Sequence, residues 1–196
     1  MKEILGHFLY DGKHTTQQVP DIKLYFEKLL CIENFEIIIE LGTSFGGLTY
    51  ILSDILKENN LNCKIHTFDF SYKSYVEDSL IERGCTYHIL DERDEIYKET
   101  VVNLLTNYGK ALLLCDGGNK KEEFNRYSEY LKPNDVIMAH DYSHNVNVFE
   151  NEIKNKYWNW FEISFLDIEE TTKKYKLIEY SKVSFKEAVW ACFVKI

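Results

Sequence analysis

Gly42, Asp69, Asp91, Asp116 and Asp141 are the positions of this 196-residue chain whose types and spacing point to chemistry. Each lies at or directly behind a short apolar run, and successive ones are separated by about one helix and one strand. A carboxylate at a strand end accepts from two vicinal hydroxyls at once. Asp116 and Asp141 together form a pair that, with water, suits Mg²⁺ or Ca²⁺ and through the ion lowers the pKa of a bound hydroxyl. His140 and His144 flank Asp141 and are the candidates for a general base, because imidazole titrates near neutral pH. A histidine beside a strand end also serves as a hydrogen-bonded core residue, and Asp69 or Asp91 alone also reads as a helix cap. His66 and His88 fall inside strand-like runs and read as structural. His14, on the N-terminal arm, is a candidate to cover a ligand. Among the aromatics, Tyr72, Tyr75, Tyr142, Trp158 and Trp160 are candidates for stacking, with Tyr142 preferred because it follows Asp141; Trp158 and Trp160 are expected to pack beneath the last strands.

The elements that must position these groups alternate between strand and helix. The run at 35–48, FEIIIELGTSFGGL, has the continuous β-branched pattern of a central parallel strand, then a glycine turn, then an amphipathic helix through Leu48, Ile51, Leu52 and Ile55. Strands are expected at Ile37–Leu41, Lys64–Phe70, Thr86–Leu90, Ala111–Cys115 and Asp135–Ala139. Helices are expected at Ile22–Cys31, Gly46–Glu58, Ser74–Arg83, Asp94–Tyr108, Lys120–Leu131 and Asn147–Trp158. The tail reads as strands Phe161–Leu166, Lys176–Tyr180 and Val189–Ile196, with a charged turn at Glu169–Lys174. Little helix lies between those last strands, so one of them is expected to be antiparallel. The fold class is α/β: a doubly wound, Rossmann-like, mostly parallel seven-stranded sheet with helices on both faces and an antiparallel late strand. The organisation is a single domain, with residues 1–34 as an arm and helix and 35–196 as the main unit. Ligands of such sheets bind outside the carboxyl ends of the strands, where the five positions converge.

The turn discriminates among ligands. A dinucleotide turn reads G-x-G-x-x-G, and here Ser44 replaces the second glycine, which counts against an NAD-type redox reading. A P-loop would need Lys-Ser/Thr after the glycines, and none is present. The segment Glu40-Leu41-Gly42-Thr43-Ser44-Phe45-Gly46-Gly47 resembles motif I of the class I S-adenosylmethionine-dependent methyltransferases. Downstream, ALLLCDGGN at 111–119 and VIMAHDY at 136–142 resemble the cephalosporin-hydroxylase-like and macrocin O-methyltransferase-like branch. Gln17, Gln18, Pro20 and Asp21 resemble a stretch preceding motif I there. The resemblance spans roughly residues 12–145. It implies that Glu40, Gly42, Thr43, Ser44, Gly46, Gly47, Asp69, Asp91 and Asp116 hold S-adenosylmethionine, with Asp69 on the ribose and Asp91 near the adenine amino group. It further implies that Asp116 and Asp141 serve catalysis at an acceptor hydroxyl of a small molecule or sugar, as ligands of an optional Mg²⁺; His140 joins them as a catalytic candidate on the chemistry of imidazole alone. Two departures matter: Asn119 replaces a usual His, and His140 stands where relatives have a second carboxylate. A catalytically degenerate cofactor-binding module is therefore the non-enzymatic alternative.

Bulk properties bound the partners. Asp and Glu number 32 against 23 Lys and Arg, a formal charge of −9, which argues against a general grip on nucleic acid phosphates. The pairs Lys120-Lys121 and Lys173-Lys174 read as solvated surface, as does the acidic run at 92–95. No asparagine- or aspartate-led amino-methylation motif ending in Pro-Pro-Tyr is present. The five cysteines show no CxxC or zinc spacing, and Cys85, Cys115 and Cys192 sit in apolar runs where thiols behave as small hydrophobes. Their odd number, and an N-terminus without a leader's apolar core, fit a reducing cytoplasmic setting. No apolar stretch is long enough for a membrane span. An exposed N-terminal arm is compatible with a homo-oligomer.

Overall fold

A computed structural model describes residues 8–15, 21–71 and 73–196. Its central sheet has seven strands: β1 Ile37–Leu41, β2 Lys64–Asp69, β3 Thr86–Ile89, β4 Ala111–Cys115, β5 Val136–Ala139, β6 Leu177–Glu179 and β7 Ala191–Lys195. Their spatial order is β6-β7-β5-β4-β1-β2-β3. The pairs from β5 through β3 are parallel, and β7 runs antiparallel to both β5 and β6. The antiparallel strand is therefore the last one, as the tail of the sequence leads one to expect.

Among the described residues, six helices of eight residues or more flank the sheet: α1 Ile22–Glu33, α2 Gly47–Glu58, α3 Ser74–Glu82, α4 Glu95–Asn107, α5 Lys120–Tyr127 and α6 Phe165–Lys174. The alternation within β1 divides the core between the two faces. Ile38 packs with α1, α2 and α3, whereas Ile37, Ile39 and Leu41 pack with α4, α5 and α6. Both faces of a parallel sheet are thus covered, which explains why β1 and β4 are apolar throughout except at Glu40. Cys85, Cys115 and Cys192 are buried in these layers. A short hairpin, Leu9–Tyr10 with Lys13–His14, lies against α2.

The boundaries agree to within a few residues up to β5, apart from α5, which ends at Tyr127 and continues as a short 3-10 turn, Ser128–Tyr130. Beyond β5 two expectations fail. The helix expected at 147–158 is a three-residue turn, Val146–Val148, running into a wide π turn, Phe149–Ile153. The strand expected at 161–166 and the charged turn after it are instead a two-residue bridge strand, Ile163–Ser164, followed by α6. Alternation of Phe161, Ile163 and Phe165 mimics a strand. Ser164 and Asp167, however, form a capping box that starts a helix, and Lys173 pairs with Glu169 one turn back. Gln17, Gln18, Pro20 and Tyr72, singled out from the sequence, lie outside the described residues.

Candidate active site

The glycine turn after β1 is shaped by close backbone approach. Gly42 has φ +100, and a Cβ there would stand 2.2 Å from the Asp116 carbonyl oxygen at the end of neighbouring β4. The amides of Gly42 and Thr43 both donate to the Phe68 carbonyl of β2 at 2.9 Å, so the turn is pinned between two strand ends. Ser44 takes the left-handed region at φ +52, a conformation that L-residues adopt at a cost and that clusters at functional sites. Its amide then points at Asp69 and donates to Oδ2 at 2.8 Å. Gly46 faces Val76 and Leu80 of α3, and Gly47 lies under the backbone of His14 and Thr15. These two glycines admit neighbouring elements rather than line the crevice.

Glu40 and Thr43 point inward. Glu40 is 1% exposed and accepts from Thr49 Oγ1 at 2.5 Å and Thr67 Oγ1 at 2.6 Å. Burial, reinforced by the charges of Asp116 and Asp69, pushes its carboxyl up to about 8 against the pull of the two hydroxyls. Thr43 shares a hydrogen bond with Thr67 between their hydroxyls, at 2.6 Å. The acidic residue of the turn thus anchors β1, β2 and α2 from beneath.

A crevice of about 530 Å³ opens at the carboxyl ends of β1, β2, β3 and β4. Gly42, Ser44, Asp69, Asp91 and Asp116 all line it, and Phe68, Leu90 and Tyr97 supply an apolar wall. Asp69 has its acceptor positions filled internally: Oδ1 by the Ser71 amide and hydroxyl, both at 2.9 Å, and Oδ2 by Ser44 and by Lys73 Nζ at 3.1 Å. Asp91 is held by Arg93, whose backbone and guanidinium hydrogen bonds pull the carboxyl down to about 2.

Gly42, Ser44 and Asp116 are shared with a smaller adjoining cavity of about 240 Å³, lined also by Lys120, His140, Asp141, Trp158 and Trp160. Here Asp116, His140 and Asp141 bring one potential ligand atom each within 4.8 Å of one another. His140 shares its Nδ1 with Asp116 Oδ1 at 2.9 Å, and Asp141 Oδ1 lies 3.6 Å from the same nitrogen. Burial alone would lower the imidazole pKa, but the two carboxylates outweigh it and the value is raised. Burial likewise opposes the charge of Asp141, yet His140, Lys120 and the donating indole of Trp158 hold its carboxyl below the usual range. Asp141 itself has φ +55, a second left-handed non-glycine residue at the site.

The reading of Lys120 as solvated surface is overturned: its side chain is 8% exposed, and Nζ lies 3.1 Å from Asp141, 2.9 Å from Glu162 and 3.9 Å from Asp116. Burial disfavours the ammonium, but these carboxylates prevail and raise its pKa. Nothing in the local sequence marks it, since a lysine that opens a helix reads as solvent-facing. Trp158 and Trp160 also belong to this cavity rather than only to the packing beneath the last strands. Asn119, in place of the expected His, is the N-cap of α5 and accepts from the Glu122 amide at 3.1 Å. His144 stacks on Phe165 and lines a separate cavity with Tyr142, so neither joins the cluster. His66 and His88 share a 3.0 Å hydrogen bond between strands, as structural residues would. His14 packs on Phe45 of the glycine turn, with ring centroids 5.4 Å apart.

Comparisons with known proteins agree with this architecture. The apo structure of CmcI matches with a TM-score of 0.65 at 13% identity, over 96% of this chain and 76% of that one. CmcI with Mg and SAM matches at 0.60 and 13% identity, over 94% and 76% of the two chains. The MycE methyltransferase of the mycinamycin biosynthetic pathway, in complex with Mg, SAH and mycinamycin VI, matches at 0.55 and 11% identity, over 88% of this chain and 48% of its own. No protein-family model matches the sequence, and no curated protein matches it. These likenesses show a shared Rossmann-like fold, in which a mostly parallel seven-stranded sheet with an antiparallel late strand is what the sequence leads one to expect.

Two of these neighbours carry Mg, so the fit of a divalent ion is a question for the residues themselves. The donors Asp116, His140 and Asp141 are grouped, yet the Lys120 ammonium already neutralises Asp141 and approaches Asp116. One oxygen of each carboxylate is also engaged, by His140 and by Trp158. As arranged, the group is closed around a lysine rather than open to an ion with short oxygen bonds.

Proposed function

We propose that this protein is an S-adenosylmethionine-dependent methyltransferase acting on a hydroxyl of a small molecule or sugar. The observation that carries the reading is the junction of two cavities at Gly42, Ser44 and Asp116. The larger has a carboxylate for a ribose, an apolar wall for a purine and a backbone-rich turn. The smaller has acid–base groups and two indoles. CmcI with bound SAM and MycE with bound SAH share the fold, which supports the choice of cofactor.

S-Adenosylmethionine supplies an electrophilic methyl on a sulfonium, and transfer is an in-line displacement by the acceptor oxygen. The chain has three tasks. Asp69 and the turn fix the adenosyl part; Trp158 and Trp160 exclude water and bound the acceptor; and His140, oriented through Nδ1 by Asp116, receives the hydroxyl proton. Proximity and orientation are the main contributions of such a site, since the cofactor is already activated. The acidic balance of the chain favours a small acceptor over nucleic acid. The five free cysteines support a cytoplasmic setting. Among the described residues no helix is long and apolar enough to cross a membrane.

Calorimetry with S-adenosylhomocysteine tests the cofactor. Binding of one molecule per chain is expected; no heat at millimolar ligand with an intact fold would sink the reading. Transfer of labelled methyl to a panel of sugar and catechol acceptors then separates an enzyme from a cofactor-binding module that has lost its chemistry.

A further inference from the structure

We infer that Lys120 is a built-in cation: its ammonium occupies the position between Asp116 and Asp141 that a divalent ion would take, so the wild-type pair does not bind Mg²⁺. The inference stands on geometry at the strand ends and not on methyl transfer, so the two readings fail independently.

Asp116 leaves β4 and Asp141 leaves β5, neighbouring strands whose ends bring both carboxylates to one side of the smaller cavity. Such a pair, 12% and 7% exposed at the side chain, carries two negative charges away from water and requires cationic partners. Lys120 supplies one from the first turn of α5, only four residues after Asp116. Its Nζ contacts Asp141 at 3.1 Å and Glu162 at 2.9 Å, and lies 3.9 Å from Asp116 and 3.4 Å from the Gly117 carbonyl oxygen. His140 approaches the same two carboxylates through Nδ1, at 2.9 Å and 3.6 Å. Mg²⁺ requires a near-octahedral shell with oxygen bonds of about 2.0–2.1 Å, and a tethered ammonium amid its carboxylate ligands repels it and fills its space. The ammonium is a singly charged substitute with three hydrogen-bond donors. Because α5 starts at the Asn119 cap, the lysine is carried by a fixed helical turn rather than by a mobile loop.

Titration with Mn²⁺, followed by electron paramagnetic resonance of the free ion and done without cofactor, tests this directly. Wild type is expected to show no saturable binding through the millimolar range. Lys120→Met keeps the stem and removes the charge, leaving the carboxylates to recruit an ion. It should bind one Mn²⁺ per chain at least about tenfold more tightly than wild type, and adding Asp141→Asn should abolish the gain. Lys120→Arg, which retains a cation, should again bind none. Saturable micromolar binding by wild type that Asp141→Asn removes would overturn the inference, and this arm stands even if Lys120→Met does not fold. A folded Lys120→Met chain that binds no Mn²⁺ would overturn it equally.

Discussion

Asp69 and Glu40 are both carboxylates at strand ends, yet their surroundings give them opposite tasks. Asp69 faces the crevice with Ser44, Ser71 and Lys73 holding its two oxygens in place. Asp69→Ala removes the acceptor for a ribose diol, and charged hydrogen bonds are worth about 1.5–3 kcal/mol each. The expected outcome is roughly a hundredfold loss of S-adenosylhomocysteine affinity by calorimetry, with far-ultraviolet circular dichroism unchanged. Unaltered affinity would remove Asp69 from the cofactor site. Glu40 faces the interior with its carboxyl raised to about 8 from 4.5, so the folded chain holds a proton there that the unfolded chain releases. Its contribution to stability is full below about pH 4.5 and declines as pH rises toward 8, by at most about 1.4 kcal/mol per unit. Glu40→Gln still accepts from Thr49 and Thr67 but cannot ionise. Urea unfolding across that range should give a flatter profile for the variant than for wild type. Parallel profiles would mean that Glu40 is ionised in the folded state.

At the scale of elements, what the sequence reveals depends on how local the cause is. The β1 turn is legible because its glycines answer to backbone geometry that admits little else. Gly42→Ala, with a Cβ 2.2 Å from the Asp116 carbonyl and φ at +100, is expected to cost about 1–3 kcal/mol in urea unfolding and to splay β1 from β4. A stable variant with unchanged cofactor affinity would show the turn to be more compliant than its contacts suggest. The strands up to β5 are legible for a similar reason, being apolar runs that two helical layers must cover. Past β5 the cues conflict. Alternating aromatics at 161–165 imitate a strand, and the capping box at Ser164 and Asp167 decides for a helix. Lys120 was illegible for a different reason: a lysine at a helix start reads as solvent-facing until the strand ends deliver Asp116, Asp141 and Glu162 around it. Five convergent positions could be read from spacing, but their counter-charge could not, because it comes from a tertiary contact.

For the molecule as a whole, the sequence reads as a single domain with an arm and helix at 1–34 beside the main unit at 35–196, and packing bears on how much the main unit depends on that helix. Ile22, Phe26 and Leu29 of α1 are fully buried, and Leu30 nearly so, against α2 and the segment before β7. Phe26 meets Phe185 and Trp190 with ring centroids 5.3 Å and 5.9 Å away. At the helix end Glu33 is tied to Lys110, Lys182 and Tyr180, joining the start of the chain to the start of β4 and the end of β6. Each of the four apolar side chains contributes about 1.5–3 kcal/mol by leaving water, and their total is comparable to the roughly 5–15 kcal/mol that holds a domain folded. A chain beginning at residue 35 is therefore expected to lack a cooperative thermal transition, whereas one beginning at residue 8 keeps α1 and should melt near wild type. If the shorter chain unfolds cooperatively and still binds S-adenosylhomocysteine, α1 is an accessory and the boundary at residue 34 is real. If it does not, the cofactor crevice depends on a helix that does not line it, because the whole sheet folds as one unit.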